Sequence, residues 1–361
     1  MSPGMKLLCA ISHHGLGHLA QAAPVLNALD RARPGLEWLI WSGLPRQTLA
    51  QRLRIRFDHR HEGADPGLLM RDAVRVDREG SLQAYRGLHG QWPEHVAREA
   101  DWLRGRGVAG VLSNVAYLPL AAASQAGLPA LAFCSLNWLD IVQHYLSDVP
   151  DLDPVFADMR RAYLGARAFL RLTPGLPMAW MPNLEAMPPV ASLGLNRRNH
   201  LDGGLALAPG EKLVMLGFGG VAYHSAVPLP RLPGIVWLVP ETWPREHRHD
   251  MRAFHQADLQ FPDLLASCDA LITKVGYGSF VEAAGQGLPV LYLDRPDWPE
   301  TPWLGQWLRA HTRARAIDEQ TLFSTVLGET LEALWQSPRP PAPDVGGAPA
   351  VARRALDLLE E

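Results

Sequence analysis

The chain has 361 residues, 47% apolar and 20% charged, with 34 basic against 37 acidic side chains and a formal net charge of −3. That length exceeds one ordinary core and points to two domains, and the near balance of charge excludes bulk attraction to a polyanion, so no nucleic-acid partner is expected. No apolar run is long enough to span a bilayer and no apolar leader precedes the first histidine, so a cytoplasmic protein without a transmembrane segment is expected, with peripheral contact to a membrane surface left open.

In chain order, residues 6–12 (KLLCAIS) read as a strand and 13–18 (HHGLGH) as a glycine turn. A helix follows with apolar positions at Leu19, Ala22, Ala23, Leu26 and Leu29. Pro24 is expected in a first helical turn beginning near Ala22 or Ala23, because proline suits that position and not a helix interior. Residues 36–43 (LEWLIWSG) read as the next strand. Alternation of this kind predicts βαβ units and parallel sheets. Cys9, Cys134 and Cys268 form no CxxC pair, and the first two sit in apolar runs as buried thiols would.

Two segments repeat each other. GVLSNVAYLPLAAASQAGLPALAFC (110–134) and ALITKVGYGSFVEAAGQGLPVLYLD (270–294) each read as strand, turn, helix, Gly-Leu-Pro, strand. Asn114 and Lys274 hold the same place, each 13 residues before the glycine that ends its helix. KLLCAISHHGLGH (6–18) and KLVMLGFGGVAYH (212–224) form a second echo: lysine, apolar strand, glycine loop, histidine. The same order of echoes predicts two similarly built α/β halves, 1–195 and 196–361, facing each other across a cleft. A Pro/Gly/Asn-rich stretch, 174–210, is read as the linker, 337–349 as irregular, and 350–361 as a last helix.

The turn after Lys274 carries two chemical readings. Its glycines and the first amides of the following helix suit a diphosphate, with Lys274 adding a positive charge. Ser279 and Glu282 also fit a capping box, in which the serine caps the helix and the glutamate caps back. A lysine that ends an apolar strand gains most beside an anion, which favours the diphosphate. In the N-terminal turn, Gly15, Gly17 and Ala20 satisfy a dinucleotide fingerprint formally, but the acidic residue required at the end of the second strand is missing. His13, His14 and His18 lack the spacing and the glutamate of a zinc motif, so no metal is expected. His18 instead opens a helix at the carboxyl edge of a parallel sheet, where a neutral imidazole can act as a base. REHRHDMRAFH (245–255) reads as a solvated loop or helix start.

The HHGLGH turn and the segment TKVGYGSFVE (273–282) resemble the signatures of the GT-B glycosyltransferases. The likeness is to the branch that includes bacterial lipid II N-acetylglucosaminyltransferase and UDP-sugar transferases, and to the glycosyltransferase-like N-terminal region of plant L-arabinokinases. The resemblance implies an α/β GT-B fold of two Rossmann-like domains and an inverting transfer from a nucleotide-diphosphate sugar, UDP- or dTDP-linked, to a small-molecule or lipid-linked acceptor. The donor is a co-substrate, and no further cofactor is implied.

It also implies roles. His18, in a loop with His14, Gly15 and Gly17, matches the base. Ser279, with Gly276 and Gly278 in its turn, matches the donor-diphosphate contact. Glu282 matches the ribose contact, and Gly217, Gly219 and Gly220 the loop near the donor phosphates. Arg295 and Glu300 stand where the donor sugar is held, and Lys274 stands where many relatives have histidine. Asn114 is a departure, because many relatives place there an Asp that supports the histidine. Asp140 is the alternative partner for His18, and a changed base or binding without turnover are the other consequences of Asn114.

Overall fold

A computed structural model describes residues 4–220, 223 and 227–360. The chain divides into two units, and each is built on one parallel sheet. The first sheet has seven strands: β1 (Lys6–Ile11), β2 (Glu37–Trp41), β3 (Phe57–Arg60), β4 (Gly110–Asn114), β5 (Ala130–Cys134), β6 (Ala168–Leu172) and β7 (Leu184–Met187), in spatial order β3-β2-β1-β4-β5-β6-β7. The second has six: β8 (Lys212–Gly217), β9 (Ile235–Val239), β10 (Met251–Ala253), β11 (Ala270–Lys274), β12 (Val290–Leu293) and β13 (Ala314–Ile317), in order β10-β9-β8-β11-β12-β13.

Central strands such as β4, β5 and β9 are buried along their whole length. They read as continuous apolar runs because helices cover both faces of a parallel sheet. In the second unit, Val214, Leu216, Trp237, Ile272 and Leu291 form the sheet side of the core, and Leu327, Leu331 and Leu334 close it from a helix.

Both internal echoes are structural. Helices Leu118–Ala126 and Tyr277–Gln286 follow β4 and β11, and end at Gly127 (φ 72°) and Gly287 (φ 64°). A left-handed residue at a helix end is the conformation glycine adopts without a Cβ penalty. Asn114 and Lys274 are the last residues of β4 and β11. His224, the end of the second echo, lies outside the described residues.

Four expectations need correction. Helix Gly17–Ala32 begins well before Pro24 and carries it inside. Eleven buried side chains along that helix outweigh the hydrogen bond that proline removes. The stretch 174–210 is not all linker: β7 joins the first sheet beside β6, and Arg198–Gly204 is helical. The REHRHDMRAFH segment is a loop only as far as Asp250: it then supplies the edge strand β10, parallel to β9, before a 3-10 turn starts at Phe254. The 195/196 division is replaced by units comprising 1–71, 75–190 and 346–361 on one side and 72–74 with 191–345 on the other. The last helix, Ala348–Glu360, packs on Gly17–Ala32 of the first unit, and Arg354 pairs with Glu185 through two bonds of 2.7 and 2.8 Å. Its apolar stripe (Val351, Ala352, Ala355, Leu358, Leu359) is buried there.

Candidate active site

In each sheet the chain first builds strands to one side and then crosses to the other. The order reverses between β1 and β4 in the first unit and between β8 and β11 in the second. At such a switch point the outgoing loops diverge and leave a crevice at the carboxyl edge, where open α/β sheets take ligands. Most of the expected residues leave these four strands, while Asp140 follows β5 and Arg295 and Glu300 follow β12. His14, Gly15, Gly17 and His18 follow β1, Asn114 ends β4, Gly217, Gly219 and Gly220 end or follow β8, and Lys274 through Glu282 end or follow β11.

In the first unit, His18 is the second residue of helix Gly17–Ala32 and is buried. Its Nδ1 lies 2.9 Å from Asn114 Oδ1. The asparagine amide has one orientation, because its Nδ2 donates to the carbonyl oxygen of Phe133 at 2.9 Å. Oδ1 is therefore an acceptor toward His18, and Nδ1 must carry the proton. The neutral ring then has its acceptor lone pair on Nε2. Asn114 thus fixes ring orientation and tautomer without contributing a negative charge.

The three histidines of the turn go to three places. His13 lies against Gly43 and Gly63, where an added Cβ would come within 3.0 and 2.5 Å of its ring. Burial pushes the His13 imidazole below its ordinary pKa. His14 stands edge-on to Trp138 with ring centroids 5.2 Å apart, and His18 tilts against the same indole at 5.5 Å. Among the described residues no group of three or more His, Cys, Asp or Glu side chains is placed to hold a metal ion. Gly15 has φ 72°, a conformation that excuses its lack of a Cβ, and an added Cβ on Gly17 would meet no protein atom within 4 Å.

Asp140 is engaged elsewhere. One carboxylate oxygen accepts from Asn137 Nδ2 at 2.7 Å and the other from Trp180 Nε1 at 2.7 Å. Its backbone N–H is capped by Asn137 Oδ1 at 2.8 Å, so this aspartate anchors the start of helix Trp138–Leu146. Asn114, not Asp140, holds His18 Nδ1.

Sequence reasoning missed what lies behind Asn114. Val115 has φ 145°, a region costly for a β-branched residue. The turn it makes is held from three sides: Tyr163 Oη donates to Val115 O at 2.8 Å, Ser113 Oγ donates to Ala116 O at 2.5 Å, and Asp65 accepts the Tyr117 N–H at 2.8 Å. None of these partners is close in sequence to the histidine turn. Trp92, one of the aromatic residues of the chain, stacks on His89 and helps line a cavity of about 430 Å³ with Asp158 and Arg161.

In the second unit, helix Tyr277–Gln286 has Gly276 at its N-cap and no side-chain cap. Ser279 is the third helical residue, not the cap, so the capping-box reading fails. The helix starts too early because the backbone at Gly276 (φ −178°, ψ 135°) is the extended residue that ends the turn. The Lys274 ammonium lies over this turn, 4.0 Å from where a Cβ on Gly276 would be. Its pKa is pushed down to about 8, first by burial and then by the Arg295 guanidinium, with Glu300 pulling the other way. Arg295 and Glu300 are both buried; the guanidinium lies 4.5 Å over the Trp298 ring, and Trp298 Nε1 donates to Glu300 at 3.1 Å. Two cations and one carboxylate thus meet at the carboxyl edge of β11 and β12. Glu282 is buried one turn into the helix, and Gly278 lies buried beside Ser279.

On the β8 side, Thr273 Oγ1 donates to Gly217 O at 2.6 Å, joining the two loops at the switch point, and Gly219 turns the chain with φ 80°.

These two units, end to end, match solved structures over almost the whole chain. A UDP-GlcNAc 2-epimerase from Neisseria meningitidis bound to UDP-GlcNAc superposes with a TM-score of 0.60 at 11% identity, covering 99% of this chain and 100% of that one. The glycosyltransferase VinC in complex with DTDP gives a TM-score of 0.54 at 16% identity, covering 99% and 97%. The fold is GT-B. A GT-B architecture was the expectation from the two turns, and the parallel seven- and six-stranded sheets carry it. In sequence, the chain is 24% identical over 303 residues to L-arabinokinase from Arabidopsis thaliana, across 82% of this chain and 29% of that protein. The chain therefore spans less than a third of the length of the curated relative it matches. No family model matches. No helix among the described residues is long and apolar enough to cross a membrane.

Proposed function

We propose that this GT-B protein transfers a glycosyl group from a nucleotide-diphosphate sugar, UDP- or dTDP-linked, to a hydroxyl acceptor. The observation that carries the reading is the Lys274 turn: a depressed lysine beside a buried arginine, over a helix start whose N-cap is Gly276. An anion restores the ammonium that burial disfavours, and it meets backbone N–H groups at the same place.

In this reading His18 Nε2 takes the proton of the acceptor hydroxyl as its oxygen attacks the anomeric carbon. The bond from that carbon to the diphosphate oxygen breaks, and the pair of electrons leaves with the nucleoside diphosphate. Lys274, Ser279 and the amides of 277–279 meet the departing charge, as preorganised electrostatics requires. Arg295 and Glu300 orient the donor sugar, Glu282 the ribose, and the 217–220 loop the phosphates. Positive charge comes from side chains and backbone in this scheme rather than from a metal ion. One displacement at the anomeric carbon inverts it. The acceptor is a small or lipid-linked alcohol.

A second reading is epimerisation or hydrolysis of a nucleotide sugar. It is favoured by the match to the UDP-GlcNAc 2-epimerase fold and by Asn114, which gives His18 no charged support. A third is binding without turnover, which Asn114 also favours.

The test is a thermal-shift panel of UDP, dTDP, GDP, CMP, NAD and ATP on wild type and Lys274→Ala. A ligand at about 100 times its Kd adds roughly 2.7 kcal/mol of stability. Stabilisation by one nucleoside diphosphate, lost in the variant, is expected; stabilisation by NAD alone, or by none, overturns the proposal. Incubating the matching nucleotide sugar without acceptor then separates the readings: an unchanged donor fits transfer, and an epimer or free sugar fits the second reading.

A further inference from the structure

Behind the His18 site lies a buried carboxyl that the transfer scheme does not use. Asp65 is 6% exposed, and it accepts N–H bonds from Tyr117 at 2.8 Å and from Gly67. Each of these bonds leads to a support of His18. Tyr117 closes the strained turn that starts at Val115, directly after Asn114. Gly67 (φ 60°) packs on Trp138: an added Cβ would lie 3.1 Å from Cζ2 of that indole and 3.5 Å from His14 Cβ. Three buried tyrosines complete the shell. Tyr85 Oη donates to Gly67 O at 2.8 Å, and Tyr163 Oη donates to Val115 O at 2.8 Å while accepting from Trp138 N at 3.1 Å. The Tyr117 hydroxyl lies 3.0 Å from His89 Nε2, whose ring also reaches Asp158 at 3.3 Å.

We propose that Asp65 is a positioning residue for His18, acting through the two groups on which the imidazole rests, Asn114 and Trp138. The inference rests on the proposed role of His18 but does not require a known acceptor. A buried carboxyl bonded to two backbone amides, with tyrosine hydroxyls around it, sets the path of both the 65–67 loop and the 115–117 turn at once. Loss of that carboxyl frees both.

The arrangement also makes the support sensitive to pH. Burial pushes the Asp65 carboxyl up to about 7, against the pull of the Tyr117 and Gly67 amides. The ionised form accepts both N–H bonds; the protonated form carries a hydroxyl on one oxygen and accepts less well. The groups facing it are Tyr85 on helix Arg78–His89, Tyr117 at the start of helix Leu118–Ala126, and Tyr163 on helix Asp153–Leu164. Burial pushes all three phenols well above their ordinary range, so none titrates near neutrality. His89 and Asp158 stand one residue further out, behind Tyr117.

The experiment follows the Trp138 indole resonance of the full chain from pH 5 to 9 by NMR, with Trp138→Phe to assign it. A shift with a midpoint near pH 7 is expected in wild type. It persists in the His14→Gln, His18→Gln double variant, which removes the two imidazoles that touch the indole, and it is abolished in Asp65→Asn. In parallel, the ring nitrogens of His18 report its tautomer at pH 8.5. Nδ1 is protonated in wild type and in Asp65→Asn, and the two tautomers mix in Asp65→Ala. Persistence of the Trp138 titration in Asp65→Asn overturns the proposal, as does its loss in the double variant or an unchanged His18 tautomer in a folded Asp65→Ala. If Asp65→Ala does not fold, the Asp65→Asn comparison decides. Nucleotide stabilisation is read in the same samples. Its absence from wild type overturns the transfer reading while the Trp138 titration stands or falls alone.

Discussion

Asn114 presents its side-chain oxygen to His18 Nδ1 at 2.9 Å because its nitrogen is committed to the Phe133 carbonyl, also at 2.9 Å. Asn114→Asp breaks that division of labour. The carboxylate gives the imidazolium a charged partner, but it turns an acceptor toward the Phe133 carbonyl. An upward shift of the His18 titration is expected, readable by NMR of the ring nitrogens. A stability loss of roughly 1–3 kcal/mol is expected with it, from the unsatisfied buried carbonyl, measured by denaturant unfolding. A variant as stable as wild type would mean that the amide is not oriented by Phe133.

Ser279→Ala separates the two readings of the Lys274 turn. A serine that caps a helix contributes about 1 kcal/mol. Ser279 is the third residue of its helix and Gly276 the N-cap, so the expected change in stability is under about 0.5 kcal/mol, as for an ordinary partly exposed site. Weaker stabilisation by a nucleoside diphosphate is expected from the same variant. Equilibrium unfolding with and without ligand measures both.

Much of this was legible in the sequence, and the reasons differ by element. Asn114 and Lys274 could be placed at strand ends because each strand, turn and glycine cap is specified within about 25 residues, where periodicity and turn chemistry operate. That both turns sit at switch points was not legible, because strand order is set by pairing between distant segments. Where the Tyr277 helix begins was not legible, because Ser279 and Glu282 satisfy the capping pattern whichever residue is extended. Pro24 misled for a related reason: local preference opposed a helix that tertiary burial imposes. Asp65 was invisible, since it lies 52 residues from Tyr117 and no motif joins them. The docking of the last helix on the first unit was equally hidden, because an apolar stripe does not name the surface that covers it.

Binding at the Lys274 turn is expected to weaken with rising pH. The free protein holds this lysine at about 8, below its ordinary 10.5. A bound diphosphate favours the ammonium, so its pKa is higher in the complex and binding above pH 8 takes up a proton. Affinity is therefore level below pH 8 and falls above it, by up to about tenfold per pH unit until the pKa of the complex is reached. Calorimetry at pH 7 and pH 9 with UDP or dTDP checks the sign. Lys274→Met removes the pH dependence together with most of the affinity.

Stability has a linkage of the same sign at Asp65. Its folded pKa, about 7, is raised above the ordinary carboxylate value of 3.8. The carboxyl therefore contributes stability that is full below about pH 4 and is lost as pH rises through 7. Relative to Asp65→Asn, which does not titrate, wild type should lose stability between about pH 4 and 7 at up to roughly 1.4 kcal/mol per pH unit. Urea unfolding of both proteins at pH 5, 6 and 7 gives the difference. A constant gap would mean that Asp65 is ionised throughout this range.

The last helix offers a test of the division into units. Ala348–Glu360 buries Val351, Leu358 and Leu359 in the first unit, each burial adding roughly 1.5–3 kcal/mol. Leu359 Cδ2 lies only 2.8 Å from where a Cβ on Gly110 would sit, at the start of β4. Gly110→Ala forces the helix outward or the strand to shift, and overpacking of this kind costs about 1–3 kcal/mol. Truncation after Val345 costs more, because it also removes the Arg354–Glu185 pair and uncovers helix Gly17–Ala32, which carries His18. Hydrogen exchange should show the loss in β1, β4 and the Gly17–Ala32 helix, while β8, β11 and β12 keep their protection. Equal loss in both sheets would mean that the last helix stabilises the chain as a whole rather than the unit that holds the histidine.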